Sequence, residues 1–171
     1  MRGSLPGKAA LLAAAAVVSS AMMAHAGDWT ADTSVGCRVW NPNPQPGETV
    51  RWSGACVNGL AQGHGAAQWF RNDLPFESDE GEWREGRQSG YGSQVWPLGR
   101  YDGQFADSEP YGQGVMIFQS VKYDGQFRNG KPNGLGTLTN GTGVFSGYWT
   151  DGCLREGAKR ASFGVPLSAC R

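Results

Sequence analysis

The sequence predicts an all-β chain built from tandem strand–turn–strand units, and three observations predict it. Glycines recur at Gly54, Gly81, Gly103, Gly125 and Gly147, spaced by 27 residues once and then by 22 three times. A fixed period of this length marks a repeat architecture. Within a unit the pattern alternates: in "YDGQF", Tyr123, Gly125 and Phe127 share one strand face while Asp124 and Gln126 share the other. An acid or amide followed by glycine then closes the strand, at Asn58-Gly59, Glu85-Gly86, Asn129-Gly130 and Asp151-Gly152. Such pairs supply the positive φ values of a tight hairpin turn.

The chain begins with Arg2 and Lys8, continues through the uncharged apolar run 9–18, and reaches Ala24-His25-Ala26. A basic start, an apolar stretch and a small-x-small site describe a secretory signal peptide over 1–26, cleaved near Ala26. The run is short for a membrane anchor and is mostly alanine, so export to the periplasm or the exterior is expected. The mature part is then Gly27–Arg171, 145 residues. The whole chain holds 15 basic and 15 acidic residues, and loss of Arg2 and Lys8 leaves a net charge near −2. A chain without basic excess has no general attraction for nucleic acid or anionic lipid. The acids at 73–85 (Asp73, Glu77, Asp79, Glu80, Glu82, Glu85) and the basic end (Arg155, Lys159, Arg160, Arg171) read as solvated surface. Residues 27–49 contain "NPNPQPGE" and are expected to form an irregular N-terminal cap.

The units follow in order. "WSGACVNGLAQGHG" starts at Trp52 and carries Gly54, Gly59, Gly63 and Gly65. "DEGEWREGRQSGYG" starts at Asp79 and carries Gly81, Gly86, Gly90 and Gly92; "RNDLPFE" before it absorbs the longer first step. "YDGQFADSEPYGQG" starts at Tyr101 with Gly103, Gly112 and Gly114. Its turn is Asp107-Ser108, and since Ser tolerates positive φ poorly, a distorted turn is expected there. "YDGQFRNGKPNGLG" starts at Tyr123 with Gly125, Gly130, Gly134 and Gly136; the truncated "FSGYWTDGCL" starts at Phe145 with Gly147 and Gly152. A strand glycine leaves a bare patch on the sheet, and a neighbouring ring can lie over it, so rings on backbone build the core.

The pattern Y-x-G-x-φ-x-x-G-x-x-x-G-x-G resembles the MORN repeat (membrane occupation and recognition nexus). "YDGQFRNGKPNGLG" matches it in full; Trp52 and Asp79 stand where the opening Tyr belongs, and Ser108 where the mid-motif Gly belongs. The resemblance implies a single, elongated, twisted antiparallel sheet of successive hairpins over residues 50–153. It leaves 27–49 and 154–171 as terminal caps.

All four cysteines lie in the mature part, and an even number in an exported chain reads as disulfides. Three pairings are open. Proximity favours Cys37 with Cys56 and Cys153 with Cys170, one bridge pinning each cap, which an open sheet with two bare edges needs. A zinc site lacks any C-x2-C spacing, and His64 is the one mature histidine.

No residue set points to catalysis, a cofactor or a metal. His64 occupies a variable place between two glycines, where later units have Tyr91, Gln113 and Leu135. The GxG pairs precede no helix that could hold a phosphate. The expected function is therefore non-catalytic: a scaffold of the cell envelope that binds a protein partner or a second copy of itself. The alternative is recognition of a lipid headgroup or polysaccharide by exposed rings, with Tyr101, Phe105, Tyr123, Phe127, Phe145 and Trp149 as the candidate surface. Exposure of those rings separates the two.

Overall fold

A computed structural model describes residues 27–157 and 159–170; the expected signal segment 1–26 lies outside them. Among the described residues, fourteen strands form one open sheet. They are β1 (Asp28–Asp32), β2 (Cys37–Asn41), β3 (Glu48–Trp52), β4 (Ala55–Val57), β5 (Leu60–Arg71), β6 (Leu74–Arg84) and β7 (Arg87–Trp96), then β8 (Gly99–Ala106), β9 (Glu109–Phe118), β10 (Val121–Arg128), β11 (Lys131–Asn140), β12 (Gly143–Thr150), β13 (Cys153–Glu156) and β14 (Lys159–Ser162). From β5 to β14 each strand pairs with the next, antiparallel throughout. The all-β sheet of tandem hairpins is thus the fold. One contact departs from it: β2 meets β5 in parallel through Arg38 and Leu60. The twelve-residue β5 makes this junction, since its first half pairs with β4 and its second half with β3.

The N-terminal cap corrects the expectation of irregularity. Residues 27–49 hold β1, β2 and the start of β3. "CRVW" and "TVRW" alternate, burying Cys37, Val39, Val50 and Trp52, and the strands are joined by the turn at 33–36 and the Pro-rich stretch at 42–47. Alternation outweighed the prolines because they are confined to the loop.

The turn at Asp107-Ser108 is also corrected. Asp107 and Ser108 have φ of 52° and 66°, close to the 50° and 70° of Asn129 and Gly130. Two hydrogen bonds hold Ser108 there: its N–H donates to the Gln88 carbonyl at 3.0 Å, and its Oγ accepts from the Gln88 N–H at 3.0 Å. The first of these belongs to a series. Gly86 donates to the Ala61 carbonyl, Gly130 to Pro110 and Gly152 to Pro132, so each of these four turns is tied to the hairpin before it.

One sheet face carries the core. Tyr101, Tyr123, Phe127 and Trp149 meet edge-on with centroids 5.0–5.2 Å apart. The bare glycines lie beneath rings as expected: a methyl group at Gly114 would strike Tyr101, at Gly136 Tyr123, and at Gly54 or Gly65 Trp52. The two disulfides pair Cys37 with Cys56 and Cys153 with Cys170, one near each end, with Cα atoms 5.7 and 5.4 Å apart. At the C-terminus Phe163 folds back and stacks on Tyr123.

Candidate functional site

The candidate ring surface is corrected by burial. Tyr101, Phe105, Tyr123, Phe127 and Trp149 are all buried, and Phe145 packs half-buried against them. Alternation turns these rings toward the glycines of the same face, where they are consumed in packing. His64 is exposed on β5 opposite Glu82.

The strand register reveals where the pattern breaks. Cross-strand partners place Trp52, Ala67, Asp79, Gln94, Tyr101, Met116, Tyr123, Leu138 and Phe145 in one row across the core face. The row is apolar except at Asp79 and Gln94, both in the second unit. The core is divided at this place: one cluster runs from Cys37 to Trp83, and a separate one from Tyr101 to Phe163. A carboxylate is far smaller than the tyrosine ring that opens the next two units, so no ring covers the glycines of this one. Gln88 covers Gly81 and Gly92 instead, its Nε2 donating to the Glu80 carbonyl at 3.0 Å.

A cavity of about 230 Å³ opens here. Its floor is the core face of β5–β7, with Trp69, Phe76, Glu77, Asp79, Trp83, Gln88 and Gln94; its other wall is Trp40 and the Pro-rich loop, with Asn43 and Gln45. Glu48 holds that loop in place. It accepts from Asn41 Nδ2 at 2.8 Å, from the Gln45 N–H at 2.9 Å and from Arg71 at 2.7 Å, and Arg71 lies over the Phe76 ring. Trp40 is fixed in turn, because its N–H donates to the Gly86 carbonyl and Arg87 stacks 3.9 Å from its ring centre.

Two of the residues that line the cavity each bury a polar atom without a protein partner. Asp79 Oδ2 accepts from Trp69 Nε1 at 2.7 Å, but Asp79 Oδ1 has no partner, and neither has Trp83 Nε1. Among the described residues these are the only buried side-chain nitrogen or oxygen atoms without one. Asp79 is 6% exposed and Trp83 3%. Burial, then the neighbouring Glu77, push the Asp79 carboxyl well above the ordinary carboxylate range, against the pull of Trp69 and Gln94. Burial also raises Glu77, which accepts from Gln94 Nε2 at 3.0 Å. Among the described residues no three His, Cys, Asp or Glu side chains converge as metal ligands.

Reading the acids at 73–85 as solvated surface is therefore corrected. Strand alternation sorts them: Glu80 and Glu82 face outward and are exposed, while Glu77 and Asp79 enter the cavity. Sequence reasoning marked Asp79 as a departure from the repeat but missed Trp40, Trp69, Trp83 and Gln94. The available signal was the loss of a ring above Gly81 and Gly92.

Fold and site together define a capped, repeat-built array of β-hairpins in which one unit lacks its ring. The MORN repeat family matches residues 80–97, 101–120 and 123–145, and over this array the chain belongs to that family, whose repeats are non-catalytic binding and scaffold modules. The matches begin at or one residue after the unit starts at 79, 101 and 123. No curated protein matches the chain.

Proposed function

We propose that the chain is an exported, non-catalytic scaffold that recognises a component of the cell envelope through the cavity beside Asp79. The observation that carries this reading is a preformed cavity of about 230 Å³ lined by the aromatic side chains of Trp40, Trp69 and Trp83 together with the polar Asp79, Gln88 and Gln94. Export is supported by the basic and apolar N-terminal segment and by the two disulfides, which belong to oxidising compartments. Rigidity at the site suits recognition, since a preformed cavity loses little conformational entropy on binding.

A second reading is contact with a protein partner, or a second copy, on the outward face. Leu135 and Tyr148 are direct cross-strand neighbours there and are 65% and 64% exposed. Retention of the disulfide-bonded chain on a cell-envelope fraction tests both. Asp79→Tyr, which adds a ring among the residues that line the cavity, is expected to lower retention at least tenfold, while Leu135→Glu leaves it unchanged. Unchanged retention of Asp79→Tyr with loss in Leu135→Glu would transfer the function to the outward face.

A further inference from the structure

We infer that Asn58 is a site of spontaneous backbone modification: its side-chain amide closes on the Gly59 nitrogen, and the residue becomes isoaspartate or aspartate. This goes beyond the binding reading above and does not rest on the cavity. Asparagine is a thermolabile residue, and a following glycine places no side chain beside the attacking nitrogen. The chain holds four Asn-Gly pairs, at 58–59, 129–130, 133–134 and 140–141. The fold separates them.

Asn58 and Asn129 form a matched pair. Both are exposed, both stand in tight turns, and their backbones agree: φ is 52° and 73° at Asn58 and Gly59, and 50° and 70° at Asn129 and Gly130. They differ at the attacking nitrogen. The Gly130 N–H donates to the Pro110 carbonyl at 3.1 Å, which ties that peptide to the hairpin before it. The first unit has only the cap before it, and among the described residues the Gly59 N–H makes no backbone hydrogen bond. Ring closure needs rotation about the Cα–C bond of the asparagine, which swings the nitrogen onto the side-chain carbonyl carbon. At Asn129 that rotation breaks a hydrogen bond; at Asn58 it breaks none. Local opening is easiest where the fewest bonds are lost. The other two pairs are held through their side chains. Asn133 Nδ2 donates to Asp151 Oδ1 at 3.2 Å, beside the buried Gly134. Asn140 Oδ1 accepts from the Thr142 N–H at 2.9 Å and from the Thr142 hydroxyl at 2.6 Å.

The reaction needs only the chain and water. The Gly59 nitrogen loses its proton and bonds to Asn58 Cγ, the Cγ–Nδ2 bond breaks, and ammonia leaves behind a five-membered succinimide. Water then opens the ring. Attack at the Cγ carbonyl gives aspartate; attack at the main-chain carbonyl gives isoaspartate, whose main chain runs through Cβ and Cγ and is one carbon longer. Either product adds a negative charge. This turn is also where the cap joins the array. The Arg38 N–H donates to the Gly59 carbonyl at 3.0 Å, and β2 meets β5 through Arg38 and Leu60. A longer main chain at residue 58 displaces that carbonyl, so conversion loosens β2, which carries Trp40 of the cavity wall.

The test ages the folded, disulfide-bonded chain at mildly alkaline pH, which promotes loss of the amide proton. Peptide mass mapping with isoaspartate-specific labelling follows the four asparagines separately. The same chain unfolded in guanidinium chloride gives the rate of each pair without the fold. Relative to those rates, Asn58 is expected to convert at least tenfold faster than Asn129 in the folded chain, and faster than Asn133 and Asn140. Equal conversion of Asn58 and Asn129, or conversion led by Asn133 or Asn140, would overturn the inference. So would an Asn58 that stays intact while the unfolded chain converts. Hydrogen exchange at the Arg38 amide is expected to rise in the aged wild type and to stay constant in aged Asn58→Gly, which keeps a residue suited to positive φ. An Arg38 amide that does not respond to conversion would overturn the loosening of the cap.

Discussion

Asp79 and Trp69 form a diagonal cross-strand pair, with the indole N–H donating to Oδ2 at 2.7 Å inside a core face that is apolar along its row except at Asp79 and Gln94. The pair anchors the carboxylate, whose second oxygen is buried without a protein partner. Burial and Glu77 raise the Asp79 pKa above the ordinary 3.8. A folded value above the unfolded one stabilises the fold at low pH, and that contribution is lost as pH rises through the folded value. Asp79→Asn keeps an acceptor for Trp69 and carries no charge. It is expected to be more stable than the wild type at pH 7, by about 1–3 kcal/mol, and to lose this advantage below pH 4. Urea denaturation at both pH values measures it; equal stabilities at pH 7 would show that the carboxylate is not held under strain.

Asp32 predicts the opposite sign. Its burial raises the pKa, but the Ser34 hydroxyl, the Trp52 and Ser34 N–H groups and Arg51 outweigh it and hold the carboxyl at about 2. A depressed value contributes stability above the ordinary 3.8 that disappears as pH falls toward 2. Asp32 bridges β1 to β3 through the Trp52 N–H at 2.8 Å. Asp32→Asn is expected to lose about 1–3 kcal/mol at neutral pH and to show a flatter stability profile between pH 4 and 2. Chemical denaturation across that range provides the comparison.

Gly136 and Tyr123 give a purely steric test. A methyl group at Gly136 would collide with the Tyr123 hydroxyl and ring, which is fully buried and donates to the Gln126 carbonyl at 3.2 Å. Overpacking of this kind costs about 1–3 kcal/mol. Gly136→Ala should therefore melt lower by several degrees, while Gly141→Ala, where a methyl meets open space, should be near neutral. Equal melting of the two would refute the covering of glycine by rings as a source of stability.

The disulfides are expected to act on separate ends. Each closes a short loop, with sequence separations of 19 and 17, worth roughly 3 kcal/mol in the chain-entropy model. Replacing Cys153 and Cys170 by Ser should raise hydrogen exchange in β12–β14 and leave β5–β7 protected. Replacing Cys37 and Cys56 should open β1–β4 and the cavity wall, and with it weaken envelope retention. Exchange rising uniformly in both variants would mean that the array unfolds as one unit.

The repeat was legible because its signals are local. The period in Gly81, Gly103, Gly125 and Gly147, the alternation of Tyr123 and Phe127, and the turn pairs need only neighbouring residues to be read. The disulfide pairing followed from proximity. The Ser108 turn was misread because its support comes from Gln88 in the previous hairpin. The acids at 73–85 were misread because polar residues at strand positions pointing inward look the same, in one dimension, as those pointing out.

What the sequence by itself determined was the unit: strand, turn, glycine and ring, repeated until the chain reached its caps. These follow from backbone sterics and side-chain alternation, which act over a few residues. What only the tertiary structure decided was where the row of rings fails. Trp69, Asp79, Trp83 and Gln94 lie on three different strands, and Trp40 comes from the cap. Sheet register and the folding back of the Pro-rich loop bring them around one space. A cavity is a property of what neighbouring elements leave unfilled, and the absence of a ring at Asp79 becomes a site only when the flanking strands hold its place open.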